Sequence, residues 1–276
     1  MNDMPVREAN GARIPALGFG TWPLKGEDCA RAVAAALEAG FRHVDTAAMY
    51  GNEEAVGQGL RASGLAEEEV FLTTKIWYDQ LSRSDAVRSA EASATKLERI
   101  PDLLLIHWPD TSMSVADMMA ALDACRREGL ARHVGVSNFP AGMLEEAVAR
   151  ADGPLAANQC EYHPELDQSR VIEACRRHGL AFVAYSPLGK GKAFDDPTLR
   201  EVAEAHGATP GQVVIAWHLA QPDVAAIPKT AKPERMRENL GALDLKLSED
   251  DMRRLNGLAR PDGRQIDPEW APDWSA

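Results

Sequence analysis

The 276-residue sequence has no run approaching the ~18 consecutive apolar residues that a membrane-crossing helix requires. Cysteine is sparse and scattered. Cys29, Cys125, Cys160 and Cys175 form no C-x-x-C, which argues against a zinc knuckle or a disulfide framework and for free buried thiols in a reducing compartment. Positive charge is also short. A formal net charge of −12 disfavours nonspecific binding to nucleic acid or to an anionic membrane, while leaving room for one local basic pocket. The opening segment MNDMPVREANG lacks the charged-then-apolar order of a signal peptide, so a cytoplasmic protein is expected. No linker or short-period repeat divides the chain, and no heptads suggest assembly. One domain over residues 1–276 and a monomer are therefore expected. A G-x-G-x-x-G turn is absent too: GFGTWPLKGED is not one, which disfavours a doubly wound dinucleotide fold.

What is present is a regular alternation. After two short extended pieces around the hairpin signal Asn10-Gly11, strand-like runs occur at LGFGT, RHVDTA, VFLTTKIW, DLLLIHWP, ARHVGVSNF, AANQCEYHP, AFVAYSPL and VAAIPKT. Helix-like stretches lie between them, several ending in glycine (Gly40, Gly129, Gly179, Gly207) as helix C-termini commonly do. Eight strands alternating with eight helices imply a parallel sheet closed as a (β/α)8 TIM barrel, preceded by a β-hairpin. SEDDMRRLNGLA adds one helix at the C-terminal end, and RPDGRQIDPEWAPDWSA reads as a loop-like tail.

In such a barrel the polar residues at the C-terminal ends of the strands gather at one mouth. Those ends carry Asp45, Lys75, His107, Ser137-Asn138, Gln159 with Glu161, Tyr185-Ser186 and Lys229-Thr230, and Tyr50 follows Asp45 on its loop. Singly, each has an ordinary explanation as a cap, a solvated end or a core residue. Asp, Tyr, Lys and His converging on one rim is a rarer combination, and it suggests acid–base chemistry. A phenol with a reference pKa near ~10 is a reluctant proton donor, and an adjacent ammonium would lower that pKa toward the working range. Lys75 would supply the charge, Asp45 would keep it protonated, and His107 would orient a substrate oxygen toward Tyr50.

GFGTW, DTAAMYGNE, TKIW, LIHWP, GVSNF, YSPLG and IPKTAKPERMREN together, in this order, resemble the aldo-keto reductase family over nearly the whole chain. The short loop after YSPLG and the APDW ending are most similar to bacterial members acting on 2,5-diketo-D-gluconate and methylglyoxal. The resemblance implies reduction of an aldehyde or ketone by NADPH, with a tetrad of Asp45, Tyr50, Lys75 and His107. It also implies a cofactor site of Gly20, Thr21, Asp45, Ser137, Asn138, Gln159, Tyr185, Ser186, Leu188, Lys229, Thr230, Arg235, Glu238 and Asn239. Within it, Tyr185 would stack on the nicotinamide, and Lys229, Thr230 and Arg235 would hold the 2′-phosphate. Phosphate recognition also follows from the residues themselves, because KTAKPERMREN puts Lys, Thr and Arg at a helix start in an acidic chain. Trp22, Tyr50, Trp77, His107 and Trp108 would wall the substrate pocket, with Trp270 or Trp274 folding in from the tail. Glu161 is left outside the cofactor set. The loop GKGKAFDD is too short for the belt that clasps the cofactor in larger members, so faster cofactor release than in those members is expected.

Two rival readings use the same residues. A metal-dependent hydrolase would draw ligands from His43, Asp45, His107 and His163, but leaves Lys75 and Tyr50 without a role. A non-catalytic module that keeps NADPH as a redox-sensing ligand for a partner has no need of an intact tetrad. No metal is expected, and the expected partner is a small carbonyl compound.

Overall fold

The structure is a computed structural model describing residues 4–275. The N-terminal hairpin forms at its predicted turn. Strands β1 (Val6–Ala9) and β2 (Ala12–Pro15) pair antiparallel, and Asn10 and Gly11 between them both have positive φ (46° and 90°). Such a turn demands positive φ at both central residues, which glycine takes freely and asparagine tolerates.

Eight parallel strands follow: β3 (Phe19–Gly20), β4 (His43–Asp45), β5 (Phe71–Ile76), β6 (Leu103–Ile106), β7 (His133–Ser137), β8 (Leu155–Glu161), β9 (Ala181–Tyr185) and β10 (Val224–Ala226). They pair in sequence order. The first and last meet through a parallel bridge between Leu17 and Ala226, with Gly18 N donating to Ala226 O at 2.8 Å and Ala226 N to Ala16 O at 2.8 Å. That seam closes the sheet, and every strand coincides with one of the eight strand-like runs. The predicted helices are found as α1 (Gly26–Ala39), α2 (Glu53–Ala62), α3 (Arg83–Leu97), α4 (Val115–Arg127), α5 (Ala141–Arg150), α6 (Ser169–Arg177), α7 (Pro197–Ala205) and α9 (Pro233–Gly241), with α10 (Glu249–Asn256) as the C-terminal addition. One helix lies outside the expectation. Helix α8 (Pro210–Leu219) starts at a Thr209–Gln212 capping box and buries Val213 through His218 continuously. An apolar run without a polar face has no amphipathic period to announce it as a helix.

Strand parity explains where the chemistry sits, because successive side chains of a strand face opposite ways. Val44, Leu72, Ile76, Leu104, Ile106, Val134, Val136, Phe182 and Ala184 face outward into the helix layer. The opposite parity fills the barrel. Its lower part is apolar, with Leu103, Leu105, Ala157, Ala181, Val183 and Ala225 packed on Ala9, Ala12 and Ile14 of the hairpin, which closes the floor. Further along the strands, the inward positions are Asp45, Lys75, His107, Ser137, Gln159, Tyr185 and, two residues past Gln159, Glu161. Among the described residues no helix is long and apolar enough to cross a membrane.

Candidate active site

Lys75 and Asp45 are both fully buried, and Lys75 Nζ lies 2.5 Å from Asp45 Oδ1 and 2.8 Å from the carbonyl of Thr46. The second carboxylate oxygen of Asp45 accepts from Gln159 Nε2 at 2.7 Å. An isolated buried charge is costly, and here each ion has both its counter-ion and a hydrogen bond. Burial works against the charge on Lys75, but Asp45 and then Tyr50 outweigh it and hold the ammonium above its ordinary range.

Tyr50 ends a single 3₁₀ turn, Ala48–Tyr50, which stops at Gly51 in the left-handed conformation (φ 59°). Two side chains pin this loop. Lys25 donates to the carbonyl of Tyr50. Asn52, buried, donates to the Leu24 carbonyl at 3.0 Å and accepts from Thr46 Oγ1 at 2.7 Å. Neither was singled out in the sequence, although Asn52 stands within DTAAMYGNE. The ammonium of Lys75 lies 5.1 Å from the centroid of the Tyr50 ring. The expected direction of the phenol's pKa needs correction. Burial raises it above its ordinary value, and Lys75, pulling it down, only partly offsets that. The phenol therefore keeps its proton through neutral pH.

His107, at the end of β6, stands over the same space, its ring 5.5 Å from that of Tyr50 and 5.0 Å from that of Trp77. Burial, reinforced by the charge of Lys75, holds it well below the usual imidazole range, so it is neutral. Its Nδ1 is buried and has no hydrogen-bond partner in the described structure.

These groups open into a cavity of about 300 Å³. Of the expected site residues, Gly20, Thr21, Trp22, Asp45, Tyr50, His107, Trp108, Asn138, Gln159, Tyr185, Ser186 and Lys229 line it. Met49, Pro187, Ile227 and Ile266 line it as well and were not anticipated. Ile227 had a visible signal, since it shares the inward parity of Lys229. Asn138 and Ser186 both have positive φ (64° and 47°), a conformation few non-glycine residues adopt and one that gathers at functional sites. Asn138 donates to the carbonyl of His107 at 2.9 Å and accepts from the Tyr185 hydroxyl at 2.8 Å. Gln159, bound to Asp45 through nitrogen, has no hydrogen-bond partner for its amide oxygen among the described residues.

Other expected residues lie off the cavity. Ser137 is buried behind it, with its hydroxyl given to the carbonyl of Gln159 at 2.7 Å. Leu188 packs into the apolar clusters, and Pro187 takes the cavity wall. Trp77 touches the site through His107. Thr230, Arg235, Glu238 and the buried Asn239 lie beyond the rim, on and before α9. There Arg235 grips Glu238 with both carboxylate oxygens within 3.0 Å, and Glu238 also accepts from Thr209 at 2.7 Å. Lys229 has no ion-pair partner among the described residues. From the tail, Trp270 stacks on Tyr78 at 4.7 Å and meets the edges of Trp108 and Trp77, while Trp274 contacts Trp108 at 6.0 Å. Both tail tryptophans thus reach the same aromatic wall.

The metal-site alternative finds no support in the geometry. His43 is bonded within the barrel to Thr73 Oγ1 at 3.1 Å, and among the described residues no three His, Cys, Asp or Glu side chains are grouped to hold an ion.

The aldo/keto reductase family pattern matches residues 16–260. The chain belongs to the aldo/keto reductase family. It is 38% identical over 266 residues to methylglyoxal reductase DkgB of Escherichia coli O157:H7, covering 95% of this chain and 99% of that one. The crystal structure of "a putative 2,5-diketo-D-gluconic acid reductase B" superimposes with a TM-score of 0.95 at 42% identity, over the full length of both chains. A point mutant of Gox0644 in complex with NADPH matches at a TM-score of 0.87 and 36% identity, over 93% of this chain and 94% of that one. As a member of this family the protein is an oxidoreductase, and the barrel mouth is where its reductase chemistry is to be sought.

Proposed function

We propose that the protein reduces small aldehydes and ketones with NADPH, dicarbonyls such as methylglyoxal and diketo sugar acids among them, and that Tyr50 delivers the proton. The observation that carries this reading is the fully buried Lys75 ammonium, set between the Asp45 carboxylate and the Tyr50 ring.

The residues present suit the cofactor. Lys229 brings to the rim of an acidic protein a cation with no ion-pair partner among the described residues, the Gln159 oxygen, also without a partner among them, can accept from a carboxamide, and Lys232–Pro233 begin a helix at the phosphate end. Asn138 and Gln159 would hold the carboxamide, with Ser137 behind them, and Tyr185 would face the ring. Gly20, Thr21, Ser186 and Leu188 would border the path of the pyrophosphate. Lys229, Thr230 and Arg235 would hold the 2′-phosphate, with Glu238 and Asn239 at the base. Bound there, NADPH supplies the hydride. Tyr50 Oη gives its proton to the oxygen that becomes the alcohol. Lys75 steadies the phenolate left behind, against the burial that disfavours it, and Asp45 keeps that ammonium charged. Neutral His107 orients the carbonyl oxygen by a hydrogen bond, while Trp22 and Trp108 border the space the substrate would enter.

Support for small substrates comes from the cavity's size and from the methylglyoxal and diketogluconate reductases that the chain resembles. The test follows NADPH absorbance against methylglyoxal, diketo sugar acids, β-keto esters and aromatic aldehydes. Tyr50→Phe is expected to lower kcat by about 10²- to 10⁴-fold, the usual worth of a general acid, and still bind NADPH. Turnover retained in that variant would remove Tyr50 from the role.

A further inference from the structure

Glu161 takes no part in the tetrad, yet its carboxylate is fully buried at the end of β8. Among the described residues no lysine or arginine pairs with it, and its one ion-pair contact is His163 Nε2 at 3.3 Å. Its strong partners come from the tail. The backbone N–H of Gln265 donates to both carboxylate oxygens, at 3.0 and 3.2 Å, and that of Ile266 to Oε2 at 3.0 Å. A buried carboxylate needs such donors, and two backbone amides in a loop outside any helix or strand need an acceptor. Each therefore fixes the other.

The tail reaches this point on a closely guided path. Arg260 pairs with Glu165 at 2.6 Å, and Gly263 passes so near the Glu165 carbonyl that a Cβ there would lie 1.9 Å from its oxygen. After the clamp, Gln265 Nε2 donates to the carbonyl of Gly189 at 3.0 Å, Ile266 enters the cavity wall, and Trp270 comes to rest against Trp108, Trp77 and Tyr78.

We infer that Glu161 is a positioning residue for substrate selection: by holding the amides of Gln265 and Ile266 it sets the tail that forms the outer wall of the carbonyl pocket. This rests on the proposed carbonyl reduction, and it concerns apolar carbonyl compounds large enough to extend from Tyr50 to Ile266 and to Trp108, which Trp270 backs. The smallest dicarbonyls stay near Tyr50 and do not need that wall.

The test compares Glu161→Gln, Trp270→Ala and the double variant, each as the full chain, with methylglyoxal and benzaldehyde as substrates. Glu161→Gln is expected to raise KM for benzaldehyde about tenfold, the scale of one weakened charge-assisted hydrogen bond, with kcat for methylglyoxal and NADPH affinity unchanged. Trp270→Ala raises the same KM, and the double variant raises it no further, because both act through one wall. A second readout is independent of activity. Trypsin should cut the Arg264–Gln265 bond faster in Glu161→Gln than in the parent, seen by mass as loss of residues 265–276. Should Glu161→Gln fail to fold, Ile266→Pro removes one clamping amide without touching β8, and the same faster cleavage is expected. Unchanged cleavage, multiplicative KM effects, or equal losses for both substrates would overturn the inference. A parent enzyme that reduces no carbonyl but shows clamp-dependent cleavage would instead refute the proposed function alone.

Discussion

Two buried carboxylates face inward at the polar end of the barrel, Glu161 two residues beyond the Gln159 that meets Asp45, and the molecule treats them differently. Asp45 faces a full positive charge on Lys75 and an amide on Gln159. Glu161, on the opposite side of the mouth, faces backbone amides of the tail and an imidazole. The first arrangement holds an ammonium beside the Tyr50 ring, where the proposed reduction needs it. The second spends its charge on holding a segment of chain. On the proposed readings, the same chemical group, buried to the same degree, would serve reaction on one wall and architecture on the other, with the partner deciding which.

The largest effect should come from breaking the Asp45 side. Lys75→Met leaves a buried carboxylate unpaired, which costs about 3–5 kcal/mol, and a denaturant midpoint would show it. The Asp45→Asn/Lys75→Met double variant should recover most of that stability and none of the turnover, because the neutral pair has nothing to steady a phenolate. Glu161→Gln should cost only about 1–2 kcal/mol, since an amide oxygen still accepts from the tail. If the two losses came out equal, the distinction between the walls would be gone.

Acid sharpens the same contrast through His43, two residues before Asp45 on β4. Burial pushes its pKa from 6.5 down to about 4, with Asp45 pulling weakly the other way. The unfolded chain therefore binds this proton at a higher pH than the folded one does. Stability from the neutral ring is complete above pH 6.5 and is lost as pH falls toward 4, by about 3 kcal/mol at most. His107, and His218 at about 3, shift in the same direction. Stability measured from pH 7 to 4 should fall, and His43→Gln should flatten the decline; an unchanged slope in that variant would count against a buried neutral His43.

Much of this was legible in the sequence, and the parts that were not share a cause. Strand parity and the polar strand ends are local, so the barrel and the convergence of Asp45, Tyr50, Lys75 and His107 could be read from spacing. Helix α8 escaped because burial on all sides erases the period that marks a helix. The direction of the Tyr50 shift escaped because burial depends on how deeply the mouth encloses the phenol. The tail is the loop it was expected to be, but its anchor escaped because Glu161 lies 104 residues upstream of Gln265. No local pattern carries a bond of that span.

The smallest effect belongs at the far rim, where a third carboxylate, that of Glu238, is only partly buried and pairs with the exposed Arg235. An exposed pair is worth at most about 1 kcal/mol, so it can be rearranged at little cost when a phosphate arrives. If Arg235 is to meet the 2′-phosphate it must loosen its hold on Glu238, and that competition subtracts from the preference for NADPH over NADH. Glu238→Gln should therefore raise the ratio of NADPH to NADH affinity, by no more than about fivefold. Arg235→Ala should lower the ratio. A ratio unmoved by both would take Arg235 out of the phosphate site, leaving Lys229 and Thr230 to carry it, without disturbing either of the two inner carboxylates.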